Sequence, residues 1–68
     1  MDAKKIGKFI HQIRTEKRMT QKELAEQIND TDKAVSKWER GESIPDIYVI
    51  KQIADIFEVS VDYLIRLS

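Results

Sequence analysis

Ile6, Ile10 and Ile13 recur three and four positions apart, the spacing of one helix face, and Asp2 precedes them where a carboxylate can accept first-turn N–H groups. Lys17 and Arg18 follow in the last turn, where the helix dipole favours cations, so the pattern predicts a first helix over about residues 3–17. Phe9 falls beside this stripe: it is either partly exposed or widens the stripe to meet a C-terminal element.

The next boundary is sharply marked. Thr20 with Glu23 three positions on is a capping box, and Met19 can pack on Leu24 as a hydrophobic staple. A second helix therefore starts at Gln21, buries Leu24, Ala25 and Ile28, and stops at Asn29, a residue that tolerates positive φ. Thr31 caps a third helix that runs to Arg40, with Asp32 in its first turn and Gly41 ending it. At 100° per residue, Ala34, Val35 and Trp38 share one side of that helix, while Lys33, Ser36, Lys37 and Arg40 share the opposite side. Pro45 suits a helix start, and Ile47, Ile50, Ile53, Ala54 and Phe57 form the stripe of a fourth helix. Ser60 caps a fifth, with a Val59–Leu64 staple, Asp62 in the first turn and Val61 and Ile65 as a small apolar face.

Five short amphipathic helices in 68 residues make an all-α fold of one domain, residues 1–68. A chain of this size buries only about 60% of the surface it exposes unfolded, so its core must be economical. With no cysteine, disulfides, thiolate metal sites and a cysteine nucleophile are excluded. The lone histidine, His11, has no second histidine or cysteine with which to share a metal, and no glycine-rich loop follows a strand pattern, so neither a cofactor nor enzymatic activity is expected. His11 itself reads as a surface or half-buried helix residue. Glu23 and Glu26, a turn apart, read as capping and solvent-facing groups rather than a catalytic pair. No segment approaches the roughly 18 apolar residues of a membrane span, and a cytoplasmic location is expected.

Twelve basic and twelve acidic side chains cancel to a net charge of zero, but unevenly. Residues 1–22 hold seven Lys and Arg against two acids, and residues 23–68 hold five against ten. Within that acidic stretch Lys33, Lys37 and Arg40 lie on one face of the third helix. Alone, such a stripe reads equally well as an ordinary solvated face. Two short helices joined by a three-residue turn, the second with a basic face, are however the elements of a helix-turn-helix, here about residues 20–41.

The stretch TQKELAEQINDTDKAVSKWERG, with the leading IGKFIHQIR and the trailing IPDIYVIKQIADIFEVSVDYLI, resembles the Cro/cI-type, lambda-repressor-like helix-turn-helix family over almost the whole chain. The resemblance rests on Thr20-Gln21, Leu24-Ala25, the run from Ser36 to Gly41, and the run from Val59 to Leu64. It implies a compact five-helix DNA-binding fold whose third helix enters the major groove. Asp32, Lys33, Ser36 and Lys37 would then read base edges, and Gln21, Lys22 and Arg40 would contact phosphates. It also implies a structural ion pair between Arg14 and Glu39 that fixes the orientation of the third helix. Against the family pattern, Arg18 and Asn29 stand where glycine is usual, Asp30 replaces an apolar turn residue, and Asp32 adds a carboxylate beside the DNA. No DNA contact is assigned to Glu42.

The expected function is sequence-specific binding of double-stranded DNA by a transcriptional regulator, a repressor that occupies a pseudo-palindromic operator as a homodimer. The expected dimer surface is the fifth helix, with Val61, Ile65 and Leu67; alternatively, Ser68 marks a domain boundary and a further C-terminal part dimerises or senses a ligand. Tyr48 and Tyr63 are core edges or dimer contacts. The rival reading, motivated by Asp30 and Asp32, is a helical protein-interaction or antitoxin-like module with weak or no DNA binding.

Overall fold

Each helix begins where a side chain can satisfy its first N–H groups. The computed structural model describes residues 2–66, apart from the side chain of Ile65, and contains α1 (Ala3–Glu16), α2 (Gln21–Gln27), α3 (Asp32–Glu39), α4 (Ile47–Phe57) and α5 (Val61–Arg66). Oδ1 of Asp2 accepts from Lys4 N and Lys5 N at 3.0 and 3.1 Å. The capping box of α2 is complete: Thr20 Oγ1 accepts from Glu23 N at 3.0 Å and Glu23 Oε1 from Thr20 N at 2.9 Å. The backbone N–H of Thr20, and secondarily its side chain, hold the exposed Glu23 carboxyl below the usual carboxylate range. Thr31 caps α3 through Ala34 N at 3.1 Å, and Ser60 caps α5 through Tyr63 N at 3.0 Å. The start of α4 differs from the expectation: Asp46, not Pro45, sets it by accepting from Val49 N at 3.0 Å, and Pro45 is buried just outside the helix.

The first four helices end alike. Arg18, Asn29, Gly41 and Glu58 follow them with φ of 55°, 56°, 73° and 58°, in the left-handed region that folds the chain back over the last turn. Only one of the four is glycine. The three others carry a Cβ into a conformation that costs an L-residue roughly 1–2 kcal/mol.

The buried faces meet in one cluster of Ile6, Ile10, Leu24, Ala25, Ile28, Val35, Trp38, Ile50, Ile53, Ala54, Phe57 and Leu64. Met19 and Val59, the two staple residues, pack against it half-buried, as do Ile13 and Val61. Ile47, expected in the stripe of α4, is 54% exposed because it is the first residue of the helix and lies outside the buried set of Ile50, Ile53, Ala54 and Phe57. Phe9 meets a C-terminal element: its ring packs edge-on against Tyr63 with centroids 5.4 Å apart. Tyr63 is thus a core edge that remains half exposed, whereas Tyr48 is 79% exposed and no part of the core.

Helix α1 crosses α3 at backbone distance, which the sequence pattern did not indicate. An added Cβ at buried Gly7 would stand 1.9 Å from the carbonyl oxygen of Trp38 and 3.1 Å from that of Glu39. Neither backbone atom can swing aside, so a side chain at position 7 must lift α1 off the end of α3. Gly7→Ala is expected to lower stability by about 3 kcal/mol, read as the urea midpoint followed by helical circular dichroism. Arg18→Gly should move the opposite way, by up to about 1 kcal/mol, because it relieves the left-handed conformation. A loss of stability in Arg18→Gly would show that the arginine side chain, rather than its backbone, matters at the bend.

Candidate nucleic-acid interface

Val35 and Trp38 are buried on the inner side of α3, and this orients everything opposite them toward solvent. Asp32, Lys33 and Lys37 are exposed there, and Ser36 is half-buried beside them. Of the expected phosphate-contacting residues, Lys22 is exposed on α2, Gln21 is half-buried at its first position, and Arg40 is exposed at the cap of α3. The structure brings Ser36, Lys37 and Arg40 together at one end of α3, while Gln21 belongs to a second cluster beside it.

That cluster surrounds Glu39, whose side chain is 5% exposed at the last position of α3. Its Oε2 accepts from Nε of Arg14 at 2.6 Å, and its Oε1 accepts from Nη2 of Arg14 at 3.0 Å, a two-pronged guanidinium–carboxylate pair. Oε1 also accepts from Nε2 of Gln21 at 3.1 Å and lies 2.9 Å from Nδ1 of His11. A carboxylate can only accept and a guanidinium can only donate. The shorter contact therefore makes Nδ1 the protonated nitrogen of His11, and its 3.2 Å approach to Nη2 of Arg14 is a contact between donors. Arg14 completes the set by donating from Nη1 to the carbonyl of Met19 at 2.7 Å, in the turn that leads into α2. No buried side-chain nitrogen or oxygen among the described residues lacks a partner.

Two opposing influences set the ionisation of Glu39. Burial is the larger single one and raises its pKa, but hydrogen bonds from Arg14, His11 and Gln21 and the charge of Arg14 together outweigh it, and the carboxyl is held below its ordinary range. Arg14 is shifted upward by the same bond, against its own desolvation. A fork between α1 and α3, joined by the first residue of α2, thus fixes the three helices in mutual orientation. Sequence reasoning singled out Arg14 and Glu39 but missed His11 and the use of Gln21 in this cluster. For His11 a signal existed, since it lies three residues before Arg14 on the same helix face.

The outer face carries its own pairing. Nε of Arg40 donates to Oε2 of Glu42 at 2.6 Å and Nη1 donates to Oγ of Ser36. Both members of this ion pair are exposed. Beside the turn, Oδ1 of Asp30 accepts from Thr31 N at 2.8 Å, so this carboxylate is engaged by backbone at the entrance to α3. Of the three residues of the expected dimer surface, Val61 packs against the core. The side chain of Ile65 and residue Leu67 lie outside the described residues. No helix among those residues is long and apolar enough to cross a membrane.

A short capped helix, a left-handed turn and a second helix with a solvent-facing polar side define a helix-turn-helix protein. The profile of the helix-turn-helix family matches residues 10–64, and the chain belongs to that family in its Cro/cI-type form. This is a family of DNA-binding regulators of transcription. Over 82% of its length the chain is 41% identical to the HTH-type transcriptional activator BcrR of Enterococcus faecalis, covering 28% of that protein. Over 66% of its length it is 42% identical to multiprotein-bridging factor 1 of Candida glabrata, covering 30% of that protein. The chain thus spans less than a third of the length of these two relatives. Among solved structures, the clp gene regulator ClgR of Corynebacterium glutamicum superimposes with a TM-score of 0.86 over 98% of this chain and 71% of that one, at 21% identity. That likeness concerns the fold alone.

A carboxyl whose pKa is depressed by folding stabilises the native state above its unfolded value, and this contribution is lost as pH falls through the lower folded value. Glu39→Gln, which leaves a buried guanidinium without its counter-charge, should cost about 3–5 kcal/mol at neutral pH. The gap between parent and variant should narrow as pH is lowered below about 4, measured by urea denaturation at a series of pH values. A gap that stays constant down to pH 2 would show that the charge of Glu39 contributes nothing to folding.

Proposed function

We propose that this chain reads a specific double-stranded DNA sequence by laying α3 in the major groove, and that it regulates transcription by occupying that site. The observation that carries this reading is the disposition of α3. Val35 and Trp38 anchor one side, the Glu39 cluster locks its end to α1 and α2, and Asp32, Lys33, Ser36 and Lys37 are left on the free side. Lysine can donate to guanine O6 and N7, aspartate can accept from cytosine N4, and serine can do either. Gln21, Lys22 and Arg40 are proposed to hold the flanking phosphates and so set the register. For Gln21 the bond to Glu39 uses one amide hydrogen and leaves the other for a phosphate oxygen.

One copy of so small a domain offers a limited interface, so useful affinity is proposed to require two copies on an inverted repeat, with half-sites about 34 Å apart. Occupancy represses where such a site overlaps a promoter. The activator name of the Enterococcus faecalis relative belongs to a protein of which the matched segment is 28%, and it does not oppose this reading. A second reading, a protein-interaction module, draws support from the bridging-factor relative and from Asp30 and Asp32 at the start of α3.

Selection of bound fragments from random or genomic duplexes at two salt concentrations separates the two. The DNA reading expects an enriched palindromic motif and an affinity that falls steeply as salt rises. The absence of any motif at low salt would favour the interaction module. Lys37→Ala should relax preference at one base position of the motif, at a cost of about 1–3 kcal/mol for the matched base. An equal loss of affinity for all sequences would make Lys37 a phosphate contact.

A further inference from the structure

The chain leaving α3 folds back onto the helix it has left. Gly41 sits at φ +73°, its N–H donates to the carbonyl of Trp38 at 3.0 Å, and the N–H of Glu42 donates to the carbonyl of Lys37 at 3.0 Å. Gly41 packs so closely on Lys4 that a Cβ there would stand 2.8 Å from Lys4 Cγ and 3.1 Å from Lys4 Cα. This reversal places the Glu42 carboxylate beside the basic face of α3. It accepts from Nε of Arg40 at 2.6 Å and from Nη2 at 3.4 Å, while Nη1 of Arg40 donates to the Ser36 hydroxyl one turn earlier. The ammonium group of Lys37 also favours its ionised form. A carboxylate near a helix C-terminus is disfavoured by the dipole, so Glu42 faces that end of α3 with Arg40 as its counter-charge.

We infer that Glu42 is a specificity-determining residue: it holds Arg40 away from DNA phosphate, so that this cation adds to affinity only at sites docked closely enough to displace the carboxylate. The inference rests on the DNA-binding reading above. Any phosphate that approaches Arg40 must compete with an oxygen already 2.6 Å from its Nε, and must tolerate a like charge at the same place. Random DNA, which gains nothing from base edges, has little to offset that cost. The arrangement also bears on base reading. Ser36, accepting from Arg40, keeps its own hydrogen free and so presents a donor to the base edge, the partner of guanine O6 and N7 or thymine O4.

Binding of the full chain to its selected duplex and to a scrambled duplex, between 50 and 200 mM salt, tests this. Glu42→Gln should tighten binding to the scrambled duplex several-fold at the lower salt and steepen its log K against log salt slope by about 0.9, the signature of one more neutralised phosphate. The selected duplex should gain less, so the ratio of the two affinities falls. Preference at the base facing Ser36 should broaden. The effect must vanish in the Arg40→Ala background, and Asp55→Asn, which removes an exposed charge on α4, should not reproduce it. A plain capping salt bridge between exposed groups would leave slope and ratio untouched. The inference is overturned if Glu42→Gln leaves the slope unchanged, tightens both duplexes equally, or acts as strongly without Arg40. Failure of the parent chain to bind any duplex at 50 mM salt would remove the DNA-binding reading and this one with it. Normal binding by the parent with an unresponsive Glu42→Gln removes this one alone.

Discussion

A carboxylate almost removed from water at the C-terminal end of a helix is doubly disfavoured, by desolvation and by the negative pole of the helix dipole. Glu39 occupies such a position, and the rest of the domain is arranged to make it tolerable. Arg14 supplies a guanidinium fork from α1, His11 adds a donor one turn earlier, and Gln21 adds another from the start of α2. Meeting these demands at once ties three short helices together beside the apolar contacts of the core. The cluster lies behind the outer face of α3, so its geometry also sets that of the surface proposed to meet DNA.

The approach of α1 to α3 depends on the same constraint. The fork of Arg14 reaches Glu39 because the backbones are close enough at Gly7 to leave no room for a Cβ, and Lys4 lies against Gly41 at the other side of the contact. Glycine at position 7 is therefore a packing residue in the middle of a helix, where its intrinsic preference costs about 1 kcal/mol relative to alanine. The left-handed ends at Arg18, Asn29, Gly41 and Glu58 serve the same compactness by reversing the chain within two or three residues. Three of the four do so on residues with a Cβ, which the core and the capping bonds must offset.

Charge is organised rather than absent. The basic excess of residues 1–22 does not all face outward, since Arg14 is consumed by Glu39 behind α3. On the outer face Arg40 is answered by Glu42, which leaves Lys33 and Lys37 as the cations of α3 not engaged in an ion pair among the described residues. A domain with zero net charge and such internal pairing draws less non-specific attraction from a phosphate backbone.

Much of this was legible in order along the chain. Helical periodicity located five helices, and caps at Asp2, Thr20, Thr31 and Ser60 set their starts, because capping needs only a polar side chain within three residues of the N–H it accepts. Proline 45 misled by two residues, because Asp46 offered a better cap, and Ile47 fell on the stripe by spacing yet outside the core by position. Arg14 and Glu39 were marked by resemblance to the family pattern; nothing local could pair residues 25 apart. What the tertiary structure alone decided was of that kind: Gly7 against the carbonyl of Trp38, His11 and Gln21 on Glu39, and Phe9 against Tyr63. Periodicity and capping are properties of neighbouring residues and can be read from the chain. Close backbone approach and shared hydrogen-bond acceptors depend on how helices cross, and crossing is settled only when the whole core packs.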